Sequence, residues 1–238
     1  MAANWAWCPG DESIAAGLRD FLPPRMFDAH AHLYRVADLV AATGVAGDGP
    51  REAGVEVWQR CLDRQVGAGR CTGGLFFPDP KVPLDRVEPA NRFVVEQIRG
   101  RPLSRGLIVV HPGSDASEVE RRLAEPQIVG FKVYHTFSPL RPTFEAPIES
   151  FLPEWAWPWA DRRGLVIMLH LVRRKALGDA ENVRYIRDRC ERKRPVNPVL
   201  LSRLGFARGR SDVCDGARCR GPGGRAEPTS PGFPLARE

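Results

Sequence analysis

Five short, continuously apolar runs alternate with stretches of helical period between residues 26 and 191. The runs are Met26–His32, Cys71–Phe77, Gly106–His111, Ile128–His135 and Leu165–Leu171. Unbroken apolarity over so few residues is the pattern of parallel strands buried on both faces. The intervening spacing predicts helices over Arg51–Val66, Val87–Arg99, from a Ser114 or Asp115 cap to Ala124, and over Asp179–Glu191. Another is predicted at Asp11–Phe21, ahead of the first strand. Ser138–Ala160 is rich in Pro and Trp and too long for a plain loop, so it predicts a helix plus a lid-like excursion. Its tryptophans at 155, 157 and 159 are read as helix packing ahead of an aromatic wall.

Repeated strand–helix units with right-handed crossovers imply an α/β fold. Five units in residues 26–191 take about 33 residues each, the pitch of a (β/α)8 TIM-type barrel. Eight units at that pitch need roughly 100 residues more, and 47 follow. The expectation is therefore a partial barrel over residues 1–191, followed by an irregular basic tail at 192–238.

Charge supports that division. Residues 192–238 hold ten of the 35 Lys and Arg but four of the 29 Asp and Glu, so 1–191 is balanced at 25 of each. The tail carries the whole surplus, and the net charge of +6 is no argument that the domain binds nucleic acid. Only four of the 35 basic residues are Lys, which fits GC-rich coding. A shift of reading frame near Arg192–Pro195, or at latest by Arg208, is the reading given to the tail; a natural disordered basic tail is the alternative. Translating the downstream DNA in the other two frames separates them.

The remaining bulk properties exclude classes. No apolar run reaches the roughly 18 residues of a membrane span, and the N-terminus lacks a secretory pattern, so a cytoplasmic protein is expected. The six cysteines contain no Cys-x-x-Cys, which argues for reduced thiols rather than a zinc finger or disulfide scaffold. Nucleotide-binding glycine loops and a Gly-x-Ser-x-Gly elbow are absent.

The candidate chemistry lies at strand ends. His30 and His32 are one residue apart at the end of the first run, so an extended backbone points both the same way. Two imidazoles at a strand mouth suit Zn2+ or a similar cation. Asp28 shares their parity and is expected to support a neighbouring imidazole. His170 ends the fifth run, where α/β barrels build active sites. Lys132, inside an apolar strand, is read as a substrate-carboxylate binder or, once carboxylated, a bridging ligand; snorkelling to water is the alternative. His135 reaches the same site only if the strand end bends, and His111 is a weaker supporting or substrate candidate.

Phe27-Asp28-Ala29-His30-Ala31-His32-Leu33, Val129-Gly130-Phe131-Lys132-Val133-Tyr134 and Ile167-Met168-Leu169-His170, in this order, resemble the amidohydrolase superfamily, in its amidohydrolase-related (amidohydrolase 2) branch. The resemblance implies a (β/α)8 barrel in which His30, His32 and His170 bind a divalent metal, Zn2+ first and Mn2+ as an alternative. It implies water attack on an amide, lactone or related carbon of a small organic acid, with metal-dependent decarboxylation as the alternative reaction. The family also places a His on the sixth strand and an Asp on the eighth. The sixth-strand position falls near Pro198–Gly205, where there is no His, and Asp212 and Asp215 lie in Gly- and Arg-rich text, so no catalytic Asp is assigned. The expectation is thus a hydrolase lineage whose chain is weakly active or inactive alone. The competing reading is a non-catalytic fragment that binds another chain, and self-association is left open.

Overall fold

The computed structural model describes residues 9–40, 49–173, 175–191 and 199–202. By internal contact the chain divides into Met1–Leu204 and Gly205–Glu238, and the second unit lies outside the described residues. The first unit opens with helix α1 (Pro9–Phe21), strand β1 (Met26–Arg35) and strand β2 (Glu52–Ala53). Helix and strand then alternate: α2 (Val55–Val66), β3 (Cys71–Pro78), α3 (Val87–Ile98), β4 (Arg105–Val109), α4 (Ala116–Leu123) and β5 (Ile128–Tyr134). The last elements are α5 (Ala156–Arg163), β6 (Val166–His170), α6 (Ala180–Glu191) and β7 (Val199–Ser202).

Among the described residues seven strands form one sheet in the order β2-β1-β3-β4-β5-β6-β7. Every neighbouring pair is parallel except β1 with β2. The α/β class and all five expected strands are present, with two additions. β1 runs on past His32, and Tyr34 and Arg35 pair with Ala53 and Glu52. That pairing takes residues from the helix expected at Arg51, which starts at Val55. β7 aligns Val199–Ser202 with Ile167–His170, so the sheet continues into the segment that composition assigned to the tail. The third strand stops at Val109, two residues short of His111. There the Ser114 hydroxyl accepts the His111 amide, and Pro112 offers no donor for the ladder.

The apolar runs are unbroken because both sheet faces are dry. One face sets Leu33, Phe76, Ile108, Phe131, Val133, Ile167 and Leu169 in a core with residues of the helices, among them Val94, Ile98, Ala156 and Trp157. Trp155 and Trp159 pack against the same core, which is the packing reading of the tryptophan segment. The other face joins Leu75, Phe77, Leu107 and Met168. Each such side chain contributes roughly 1.5–3 kcal/mol when fully buried. Gly130 permits a close approach of β5 to β6: a Cβ there would stand 1.9 Å from the Val166 carbonyl oxygen.

β3 and β4 pair over only two positions, Leu75 with Arg105 and Phe76 with Gly106. Beyond them the buried Asn91 of α3 takes the ladder's place. Its Nδ2 donates to the Val109 carbonyl at 2.9 Å, and its Oδ1 accepts the Val109 amide at 2.7 Å. Asn91→Ala is expected to leave both groups of Val109 unpaired, at about 1–3 kcal/mol each. The urea midpoint should fall with an unchanged slope. An unaltered midpoint would remove this account of how α3 is tied to β4.

The excursion after β5 makes short 3-10 turns at Thr143–Glu145 and Ile148–Ser150 before α5. Its Phe144 carbonyl accepts the Arg173 amide at 2.7 Å, which ties it to the segment following β6. Among the described residues no helix is long and apolar enough to cross a membrane.

Candidate metal centre

β1 carries an irregularity that decides which side chains meet. Asp28 aligns with Gly74 and Ala31 with Phe76, so three steps of β1 match two of β3. An extra residue in one strand re-aims the side chains beyond it. Asp28 therefore faces the helices, where its Oδ2 accepts the Trp58 indole N–H at 2.8 Å and its Oδ1 accepts the His30 backbone N–H at 2.9 Å. Strict alternation put Asp28 with the imidazoles. The bulge corrects this, and Asp28 fixes the backbone of His30 rather than its ring.

Past the bulge His30 and His32 turn to the opposite face, both edge-on to Phe77 with centroids 4.9 Å away. Their Nε2 atoms are 3.2 Å apart. Two nitrogens bound at 2.0–2.1 Å to one tetrahedral ion stand about 3.3 Å apart, so this pair fits two positions of one coordination shell. The Nδ1 of His32 lies 3.3 Å from the Pro78 carbonyl oxygen, at the end of β3. The same oxygen accepts the Tyr134 hydroxyl at 2.6 Å.

β5 and β6 bring the remaining groups to the carboxyl ends of the strands. Tyr134 and His170 are register partners, with ring centroids 5.6 Å apart. Tyr134 also stacks toward His32 at 6.5 Å, with 25° between the planes. Among the described residues no three His, Cys, Asp or Glu side chains form a group able to hold a metal ion. The imidazole pair is formed, and His170 packs edge-on to the Tyr134 ring, which also stacks toward His32. His135 enters a 3-10 turn directly after β5, which supplies the bend its parity required. Its ring meets that of His170 at 5.1 Å, and its Nδ1 lies 3.2 Å from the Thr143 hydroxyl. His111 is grouped differently: its Nδ1 accepts the Gly113 amide at 3.1 Å and its ring packs on Phe137. It lines a cleft of about 190 Å3 between α3 and α4, with Asn91, Glu118 and Arg122.

Lys132 is fully buried, so it does not snorkel. Its Nζ lies over the rings of Phe77 and Tyr134, at 4.8 and 5.0 Å. Burial lowers its pKa to about 7. Burial also holds the histidines neutral. His32 is lowered to about 3 by burial, then by the charges of His30 and Lys132. His170 is lowered to about 4 by burial, then by Lys132. Burial and Lys132 likewise depress His30, against the opposing charge of Asp28. Neutral imidazole is the form that a cation requires.

Two groups at this mouth escaped the sequence reading. Tyr134 shares Lys132's parity two residues on, a signal that strand alternation offered. Asp79 follows Pro78 in a Pro-Asp-Pro stretch that reads as a turn. Burial pushes its carboxyl up, although its Oδ1 accepts the Lys81 amide at 2.8 Å. Its charge bears on both Tyr34 and Tyr134. No protein-family model matches this chain, and no curated protein matches it.

Proposed function

We propose that the chain is a metal-dependent hydrolase of the amidohydrolase lineage, built on a partial TIM-like barrel and acting on an amide, lactone or related carbon of a small organic acid. The observation that carries this reading is the 3.2 Å approach of the His30 and His32 Nε2 atoms at the mouth of parallel strands. In this reading His30, His32 and His170 hold one divalent cation, Zn2+ before Mn2+, and the pair supplies its first two nitrogens. When bound, the cation lowers the pKa of a water and polarises the substrate carbonyl.

The chain's own residues supply the rest. The Pro78 carbonyl orients the His32 ring. Burial first, and then the charge of Lys132 over the Phe77 and Tyr134 rings, keep His30, His32 and His170 unprotonated. The same charge favours an anionic substrate at the mouth. The order of the parallel strands with interleaved helices supports the barrel reading.

The test is a zinc titration of metal-free chain, followed by turnover of a panel of lactones and N-acyl acids. One ion per chain is expected, with weak or no turnover by the chain alone, and any turnover present lost to a chelator and restored by zinc. A folded chain that takes up no zinc overturns the proposal.

A further inference from the structure

We infer that α1 is a self-association surface, through which two copies of the chain pair antiparallel about a two-fold axis by the face carrying Ile14, Gly17, Leu18 and Phe21. The inference is independent of the metal site. α1 is tied to the start of β3, where the Arg70 guanidinium donates to the Arg19 and Leu22 carbonyls.

α1 uses one side on its own domain and leaves the next one bare. It buries Ala15 and half-buries Asp11 and Arg19, which are spaced four residues apart. Ile14, Leu18 and Phe21 follow at i, i+4 and i+7 on the adjacent side, and are 65%, 38% and 83% exposed. Gly17 lies on that side too, and a Cβ built there meets nothing within 4 Å. Its backbone is helical. Nothing inside the domain therefore calls for glycine, which costs about 1 kcal/mol relative to alanine in a helix interior. A second helix crossing at Gly17 supplies the reason, because glycine lets another backbone approach closely.

The stripe is complementary to itself. With the two-fold axis between positions 17 and 18, Leu18 of each copy fills the notch at Gly17 of the other, and Ile14 lies against Phe21. Antiparallel packing also opposes the two helix dipoles. It brings the first turn of each helix, with Asp11 and Glu12, to the end of the other, which Arg25 follows. A membrane surface fits less well: α1 carries Asp11, Glu12 and Asp20 with Arg19 as its one cation, and anionic lipid attracts basic helices. At these exposures the three apolar side chains present on the order of 350 Å2 per copy, a patch of the size that marks interaction sites on soluble proteins. That is below the roughly 800 Å2 per partner of a standard interface, so the dimer is a weak one. A dissociation constant on the order of 10–100 μM is expected.

Sedimentation equilibrium of the full chain under reducing conditions, over about 5–500 μM, tests this range of affinity. The expected result is a mass that rises from one chain toward two. Gly17→Leu adds a side chain that meets nothing in the single chain and improves helix propensity. It should leave the thermal midpoint unchanged or higher while weakening association at least tenfold. Phe21→Glu, on the most exposed position of the stripe, should do the same to association. Under oxidation, a mixture of Ile14→Cys and Phe21→Cys chains should cross-link more than either variant alone. A wild-type chain that stays monomeric throughout overturns the inference, whether or not it binds lipid vesicles or another protein. Association undiminished in both Gly17→Leu and Phe21→Glu overturns it as well, since the contact then lies elsewhere. Cross-linking no greater in the mixture overturns the antiparallel pairing.

Discussion

Acidification from pH 6.5 to pH 4 is expected to remove several kcal/mol of stability from the described domain. In the unfolded chain His32 and His170 take up protons near 6.5; in the folded chain they do so only near 3 and near 4. Across that window the unfolded state binds more protons, so stability falls as pH falls. Each group contributes about 1.4 kcal/mol per pH unit. Two such groups over this range approach the whole stability of a typical domain, roughly 5–15 kcal/mol. Lys132 acts at the other end of the scale. With a folded value of about 7 against an ordinary 10.5, its contribution is lost between those two values and is constant below them.

Urea midpoints at half-unit steps from pH 7 to 4.5 read the slope. The segment between 6.5 and 5 is diagnostic, because ordinary carboxylates titrate below it. His32→Gln, neutral throughout, should flatten that segment by about 1.4 kcal/mol per pH unit. A midpoint that does not move between pH 7 and 5 would mean that these imidazoles are not held neutral by the fold.

The second large effect is on metal uptake. Replacing His30 and His32 together by Ala should weaken zinc binding by more than the 10–100-fold that loss of a supporting partner brings, because both nitrogens of the pair disappear. The substitutions remove no backbone hydrogen bond, and Asp28 keeps its bonds to residue 30's amide and to Trp58. His111→Ala is the matched control, since His111 packs on Phe137 and should leave zinc affinity unchanged. Equal affinities for the paired variant and the control would place zinc elsewhere on the chain.

Much of the fold was legible because burial on both faces forces strands to be written as unbroken apolar runs. Met26–His32, Cys71–Phe77, Ile128–His135 and Leu165–Leu171 each became a strand within a few residues of the expected limits. Errors fell where pairing rather than composition decides. Tyr34 and Arg35 are strand residues because Ala53 and Glu52 lie opposite them, and two-residue β2 has no pattern of its own. Val199–Ser202 is a strand because β6 offers an open edge beside it, whatever the composition around it.

The site divides along the same line. The residue text alone determined that His30 and His32 point one way, that His170 closes a strand, and that Lys132 lies inside the sheet, because alternation and apolar context are local properties. It could not determine that Asp28 turns to the helices, since a bulge is set by the register between two strands far apart in sequence. Nor could it show that Pro78, Tyr134 and His32 meet at one carbonyl oxygen. Those three groups come from β3, β5 and β1, and only the packing of the sheet brings their atoms within hydrogen-bond reach.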